Sequence, residues 1–148
     1  MDSTKIVLSI LEETYIIHKL DQSTNLPEEL IECEFYSLSN SQEELSLVCP
    51  EQMLIQSENS SPNWKCLNVI GPLDLKLTGI LAGLADTLAK AEISIFAVST
   101  FNTDYLLIQK QALKAAKTAL ISQGYQFKYC LLNTSPSQRD ATLYRMPS

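Results

Sequence analysis

The sequence predicts an α+β fold, with helices packed on one face of an antiparallel sheet. Three observations carry this. Short β-branched and apolar runs recur through the first half with little helical spacing between them. The second half alternates in the order strand, helix, strand, strand, helix, strand. The composition, 45% hydrophobic and 19% charged over 148 residues with four Gly and six Pro, is that of a folded globular chain.

Lys5-Ile6-Val7-Leu8-Ser9-Ile10 is a β-branched run, and Thr14-Tyr15-Ile16-Ile17-His18-Lys19-Leu20 is a second. Glu12-Glu13 between them reads as a chain reversal, so the two runs form a predicted hairpin. Residues 21–27 are turn-rich, and residues 28–33 have room for one or two helical turns. A second hairpin is predicted from Phe35-Tyr36-Ser37-Leu38, through a polar turn at Asn40-Ser41-Gln42, into Leu45-Ser46-Leu47-Val48-Cys49. The alternation of Leu45, Leu47 and Cys49 predicts one buried face.

Ser57-Glu58-Asn59-Ser60-Ser61-Pro62-Asn63 holds no apolar side chain to bury. It is expected to be an exposed linker and a module boundary. Residues 1–58 then make an N-terminal module with abbreviated helices, and 63–132 a C-terminal one. Residues 133–148 are polar and aperiodic, with Pro136 and Pro147, and predict a disordered tail.

In the second module, residues 64–70 form a predicted strand ended by Gly71-Pro72. Thr78 is the expected cap of a helix whose Ile80, Leu81, Leu84 and Leu88 fall at helical spacing. Asp86 and Lys90 sit four apart on its surface. Residues 93–100 are apolar on both faces, as in a central strand. Asn102-Thr103-Asp104 then turns the chain into Tyr105-Leu106-Leu107-Ile108. A second helix over residues 111–123 buries Leu113, Ala116 and Leu120 and stops at Gly124. Tyr125, Phe127 and Tyr129 alternate with Gln126, Lys128 and Cys130 in a last strand. That order predicts a ferredoxin-like βαββαβ sandwich.

The formal charge of −6 argues against a nucleic-acid surface, which needs clustered Lys and Arg. It equally weakens attachment to anionic membranes. Apolar runs such as residues 93–98 are too short to span a bilayer. The start of the chain lacks the basic-then-apolar pattern of an export signal. A soluble, cytoplasmic protein is expected. Cys33, Cys49, Cys66 and Cys130 are scattered, with no CxxC pair and one histidine, His18. Such spacing predicts buried reduced thiols and no metal site. No GxxxxGK[ST], GxGxxG or GxSxG motif is present. No catalytic residue and no cofactor is therefore expected, and the chain is read as a non-enzyme.

Two stretches carry a family resemblance. They are Gly71-Pro72-Leu73-Asp74-Leu75-Lys76-Leu77-Thr78-Gly79-Ile80-Leu81-Ala82 and Ser94-Ile95-Phe96-Ala97-Val98-Ser99-Thr100-Phe101-Asn102-Thr103-Asp104-Tyr105. Both resemble the small bacterial tandem ACT proteins related to aspartate kinase regulatory regions, and the repeating halves of the CASTOR arginine sensors. Ser99-Thr100-Phe101-Asn102-x-Asp104 is similar to part of the CASTOR ligand site. Glu44-Leu45-Ser46-Leu47-Val48-Cys49-Pro50 is also typical of these proteins. The resemblance spans residues 5–130 and is thinner in the first module.

It implies two ACT-type modules that bind a free amino acid at an edge between them. The loop 71–79 would meet the ligand largely through backbone, with Gly71, Asp74, Leu75, Thr78, Gly79 and Ile80 as its contacts. Amides opening the helix after Thr78 suit a carboxylate. Thr100, Phe101 and Asp104 would form the facing wall. The resemblance also implies a homodimer and, downstream, a regulated enzyme or transcription component. Duller readings stand beside these. The glycines also suit a strand-to-helix turn, Asp104 suits a hairpin turn, and a Phe after a strand is ordinarily core. A ligand-free dimerisation module and a small enzyme without a visible motif remain the alternatives.

Overall fold

A computed structural model describes residues 6–70 and 79–128 of the chain. Among the described residues seven strands make one sheet: β1 (Val7–Leu20), β2 (Ser37–Asn40), β3 (Leu45–Pro50), β4 (Asn59–Val69), β5 (Ile95–Ser99), β6 (Asp104–Gln109) and β7 (Gln126–Phe127). Their order is β2–β3–β1–β4–β6–β5, with β7 also paired to β1. Two helices, α1 (Ile80–Lys90) and α2 (Leu113–Ser122), complete the α+β architecture. A 3₁₀ turn at Glu28–Glu32 is the helical element described in the first half. The β2–β3 hairpin follows the predicted pattern, beginning at Ser37 rather than Phe35.

The first predicted hairpin does not form; residues 7–20 are one continuous strand. Ile10 faces Leu67 and Thr14 faces Lys65, so residues 11–13 of β1 stand opposite Cys66 alone. The Glu12-Glu13 pair bulges out of the ladder instead of reversing it. Lys65 Nζ donates to the Glu12 carbonyl at 2.8 Å and the Glu13 carbonyl at 3.0 Å. The bulge carbonyls thereby gain the partner that the ladder denies them.

The expected linker is also strand. Side chains 57–63 are exposed, as their polarity requires, but β4 begins at Asn59 and pairs with Ile17, His18 and Lys19. Pro62 is tolerated because it falls in a second bulge: residues 62–63 oppose Ile16 alone, with Asn63 at φ 70°. Residues 93–100 do not form a central strand. β5 is the outer strand of the sheet, bonded only to β6 among the described residues. The final strand is displaced as well. β7 lies parallel to β1, not beside β4, because β1 occupies the place next to β4. The remaining pairs are antiparallel.

Cross-strand pairs define the faces. Leu8–Val69, Ile10–Leu67, Thr14–Lys65, Ile16–Cys49 and Leu20–Leu45 lie along one of them. The helices cover its second-half portion, where Leu84, Leu88, Ala116 and Leu120 pack on Leu8, Leu67, Leu106 and Ile108. The 3₁₀ turn and residues 53–55 cover the first-half portion, over Leu20, Leu45, Leu47 and Cys49. On the opposite face, Phe35 folds down onto Tyr15, Cys66 and Leu107. Its ring stacks on Tyr105 at 4.1 Å and meets Tyr15 edge-on at 5.9 Å. The predicted Asp86–Lys90 pair forms at 3.1 Å, and Gly124 closes α2 at φ 99°.

Candidate functional site

The turn between β5 and β6 is closed by local hydrogen bonds. Thr100 N–H donates to the Thr103 carbonyl at 2.8 Å, and Thr103 N–H donates to Thr100 Oγ1 at 3.3 Å. Two further bonds tie this turn to the end of β4. Thr103 Oγ1 donates to the Val69 carbonyl, and Asn68 Nδ2 donates to the Asp104 carbonyl at 3.2 Å. The turn therefore stands beside the point where the chain leaves the sheet at Ile70.

Asp104 opens β6 opposite Ser99. Ser99 Oγ donates to Asp104 Oδ1 at 2.7 Å, which orients the carboxylate through one of its oxygens. Phe101 stands at the tip of the turn and is 80% exposed, so it is not the core residue that a Phe after a strand ordinarily is. Ile70, the residue that follows β4, is also exposed. Thr100, Phe101 and Asp104 thus lie together on one hydrogen-bonded turn.

Gly79 and Ile80 sit at the start of α1. The helix takes Gly79 as its N-cap, not Thr78, and begins at Ile80. Gly79 has φ 87°, a backbone conformation that favours glycine, while the space around its Cα is open. Ile80 is half-buried against the core under the helices. Gly71, Asp74, Leu75 and Thr78 lie outside the described residues, as do Cys130 and the tail.

Residue-by-residue reading missed Asn68, Ser99 and Thr103 as positioning groups. Asn68 was the available signal, being a polar side chain in the apolar run Cys66-Leu67-Asn68-Val69-Ile70.

His18 is buried at 5% exposure, with Nδ1 2.9 Å from Ser57 Oγ and Nε2 lacking a partner. Burial lowers its pKa below the ordinary value. Burial also lowers the pKa of the Lys65 ammonium, with Lys110 acting in the same direction and the Glu13 and Glu12 carboxylates against it. Cys33, Cys49 and Cys66 are free thiols. Burial pushes Cys49 up to about 11 and Cys66 up to about 12. Among the described residues no three His, Cys, Asp or Glu side chains are grouped to hold a metal ion. No described helix is long and apolar enough to cross a membrane.

Comparison with known proteins gives this geometry a context. The ACT domain family matches residues 59–122, and a second family, described only as an N-terminal domain, matches residues 13–58. The human protein CASTOR3P is 26% identical over 104 residues, a match covering 62% of this chain and 64% of that protein. The chain thus spans just under two thirds of that relative's length. A protein of Agobacterium tumefaciens is 31% identical and superposes with a TM-score of 0.76, covering 84% of this chain and 93% of the other. The regulatory subunit of aspartate kinase from Thermus thermophilus shares the fold at 9% identity, with a TM-score of 0.56 over 84% of this chain and all of that one. The second half of the chain is therefore an ACT domain, and the chain as a whole is a relative of the Agobacterium protein, nearly all of which it covers.

Proposed function

We propose that the chain is a regulatory amino-acid-binding protein, not an enzyme, whose ligand sits against the β5–β6 turn at an edge between ACT modules. The observation that carries this reading is Phe101. A large aromatic ring stays exposed on a turn locked by its own hydrogen bonds, beside a carboxylate fixed by Ser99. Exposed aromatic surface of that kind suits a ligand's apolar stem, and Asp104 suits an ammonium. The loop 71–79 supplies the opposite side, with Gly71, Asp74, Leu75, Thr78, Gly79 and Ile80 as contacts and a helix-start amide for the carboxylate. The ACT domain over residues 59–122, and likeness in fold to an aspartate kinase regulatory subunit, support the regulatory role.

In this reading residues 1–58 and 63–132 are the two modules. The chain acts in the cytoplasm as a homodimer paired through the outer edge of β5, and it signals to a regulated enzyme or transcription component. No metal or cofactor takes part. The test is a thermal-shift screen over the twenty amino acids, followed by calorimetry of Asp104→Ala. A ligand at a hundredfold excess over Kd stabilises the folded state by about 2.7 kcal/mol. Loss of Asp104 should then weaken binding by about 2–5 kcal/mol with an unchanged fold. A hit whose affinity Asp104→Ala leaves intact moves the pocket elsewhere. A silent screen favours a ligand-free dimerisation module, the reading that the outer edge of β5, unpaired among the described residues, also suits.

A further inference from the structure

The chain's charge is divided between its halves. Between Leu20 and Trp64 there are nine carboxylate side chains and no Lys, Arg or His. From Lys65 onward basic side chains outnumber acidic ones, nine against five. The net charge of −6 hides this division.

Part of each charge lies on the helix-covered side of the sheet. In the first half, the 3₁₀ turn places Glu28, Glu29 and Glu32 on the surface. Among them Ile31 is 79% exposed. Leu30 and Met53 pack into the same cluster beneath, and between Met53 and Ile55 the Leu54 side chain is 94% exposed. Two aliphatic side chains thus stand in water inside an acidic rim, with no core left to receive them. In the second half, Lys110, in the 3₁₀ turn that leads into α2, and Lys114 and Ile121, two turns apart on α2, are all exposed and make a stripe along it. That stripe is the counterpart of the acidic patch in charge and in apolar content.

We infer that the acidic patch of one copy docks on the α2 stripe of a second copy, so that two such contacts close a two-fold dimer. Each contact pairs Glu28, Glu29 and Glu32 with Lys110 and Lys114, and covers Ile31 and Leu54 against Ile121. Both surfaces lie on the helix-covered side, so one two-fold operation brings each patch onto the other copy's stripe. This contact is separate from the β5 edge and needs no ligand.

The test is sedimentation of the full chain at about 0.05 M and 0.5 M salt, where the Debye length falls from more than 10 Å to less than 8 Å. Self-association should weaken markedly at the higher salt. The triple change Glu28→Lys, Glu29→Lys, Glu32→Lys and the double change Lys110→Glu, Lys114→Glu should each weaken it by roughly a hundredfold, because like charges then face each other. Mixing the two variants should restore the complex as a heterodimer. Glu43→Lys with Glu44→Lys, in the β2–β3 turn, should leave it intact. A chain that is monomeric at low salt overturns the inference. So does self-association that neither salt nor the reversals alter, or variants that stay apart when mixed.

Discussion

Lys65 reaches across the β1–β4 ladder and donates to the Glu12 carbonyl at 2.8 Å, closing the bulge that lets one strand serve both halves of the sheet. The same ammonium holds the Glu13 carbonyl. Above the bulge the free edge of β1 pairs with β3, and below it with β7.

Lys65→Met keeps the apolar stem and removes the donor, so it should cost about 1–3 kcal/mol by denaturant unfolding. Native-state hydrogen exchange should quicken at residues 11–14 and not in α1 or α2. Equal protection throughout would mean that water replaces the ammonium without penalty.

His18 makes the folded state sensitive to pH. Its folded pKa lies below the ordinary 6.5, because burial disfavours the charged ring. The unfolded chain therefore binds more protons in that window, and stability rises with pH. The His18 contribution is complete above about pH 6.5 and is lost as pH falls through the folded pKa. The melting temperature of the parent should drop between about pH 8 and pH 5 by more than that of His18→Gln. Parallel curves for the two proteins would remove His18 as the cause.

Two phenylalanines should respond in opposite ways. Phe35→Ala removes a buried ring stacked on Tyr105 and uncovers Tyr15, and should cost about 3–5 kcal/mol. Phe101→Ala removes a ring that is already in water, and should leave stability within about 0.5 kcal/mol. A costly Phe101→Ala would show that the ring packs on something in the folded chain.

The Cys49 and Cys66 thiols should be inert while the chain is folded. Cys49 and Cys66 sit among apolar side chains that hold the thiolate out of reach at neutral pH. Alkylation followed by mass measurement should leave both unmodified in the native protein. After unfolding without reductant all four cysteines of the chain should react. A pair that stays protected then would reveal a disulfide.

Sequence by itself determined the features whose signals are local. Helical spacing of Leu84, Leu88, Ala116 and Leu120 placed α1 and α2 and their buried faces. Gly124 marked the end of α2, and the Leu45, Leu47, Cys49 alternation marked β3. The segment 99–104 stood out through its family resemblance, and its turn is held by short-range hydrogen bonds and by two bonds to the end of β4. What only the tertiary structure decided involves strand partners distant in sequence. Glu12-Glu13 breaks an apolar alternation just as a turn would. It becomes a bulge because β4 pairs with β1 on both sides of it, and Lys65, more than fifty positions away, satisfies its carbonyls. The polar run at residues 57–63 reads as linker because nothing in it can be buried, yet its backbone is paired with β1. β5 looks central by composition and lies at an edge, and β7 joins β1 because β1 fills the place beside β4. Backbone pairing is blind to side-chain polarity, and which edge meets which is settled only when the sheet assembles.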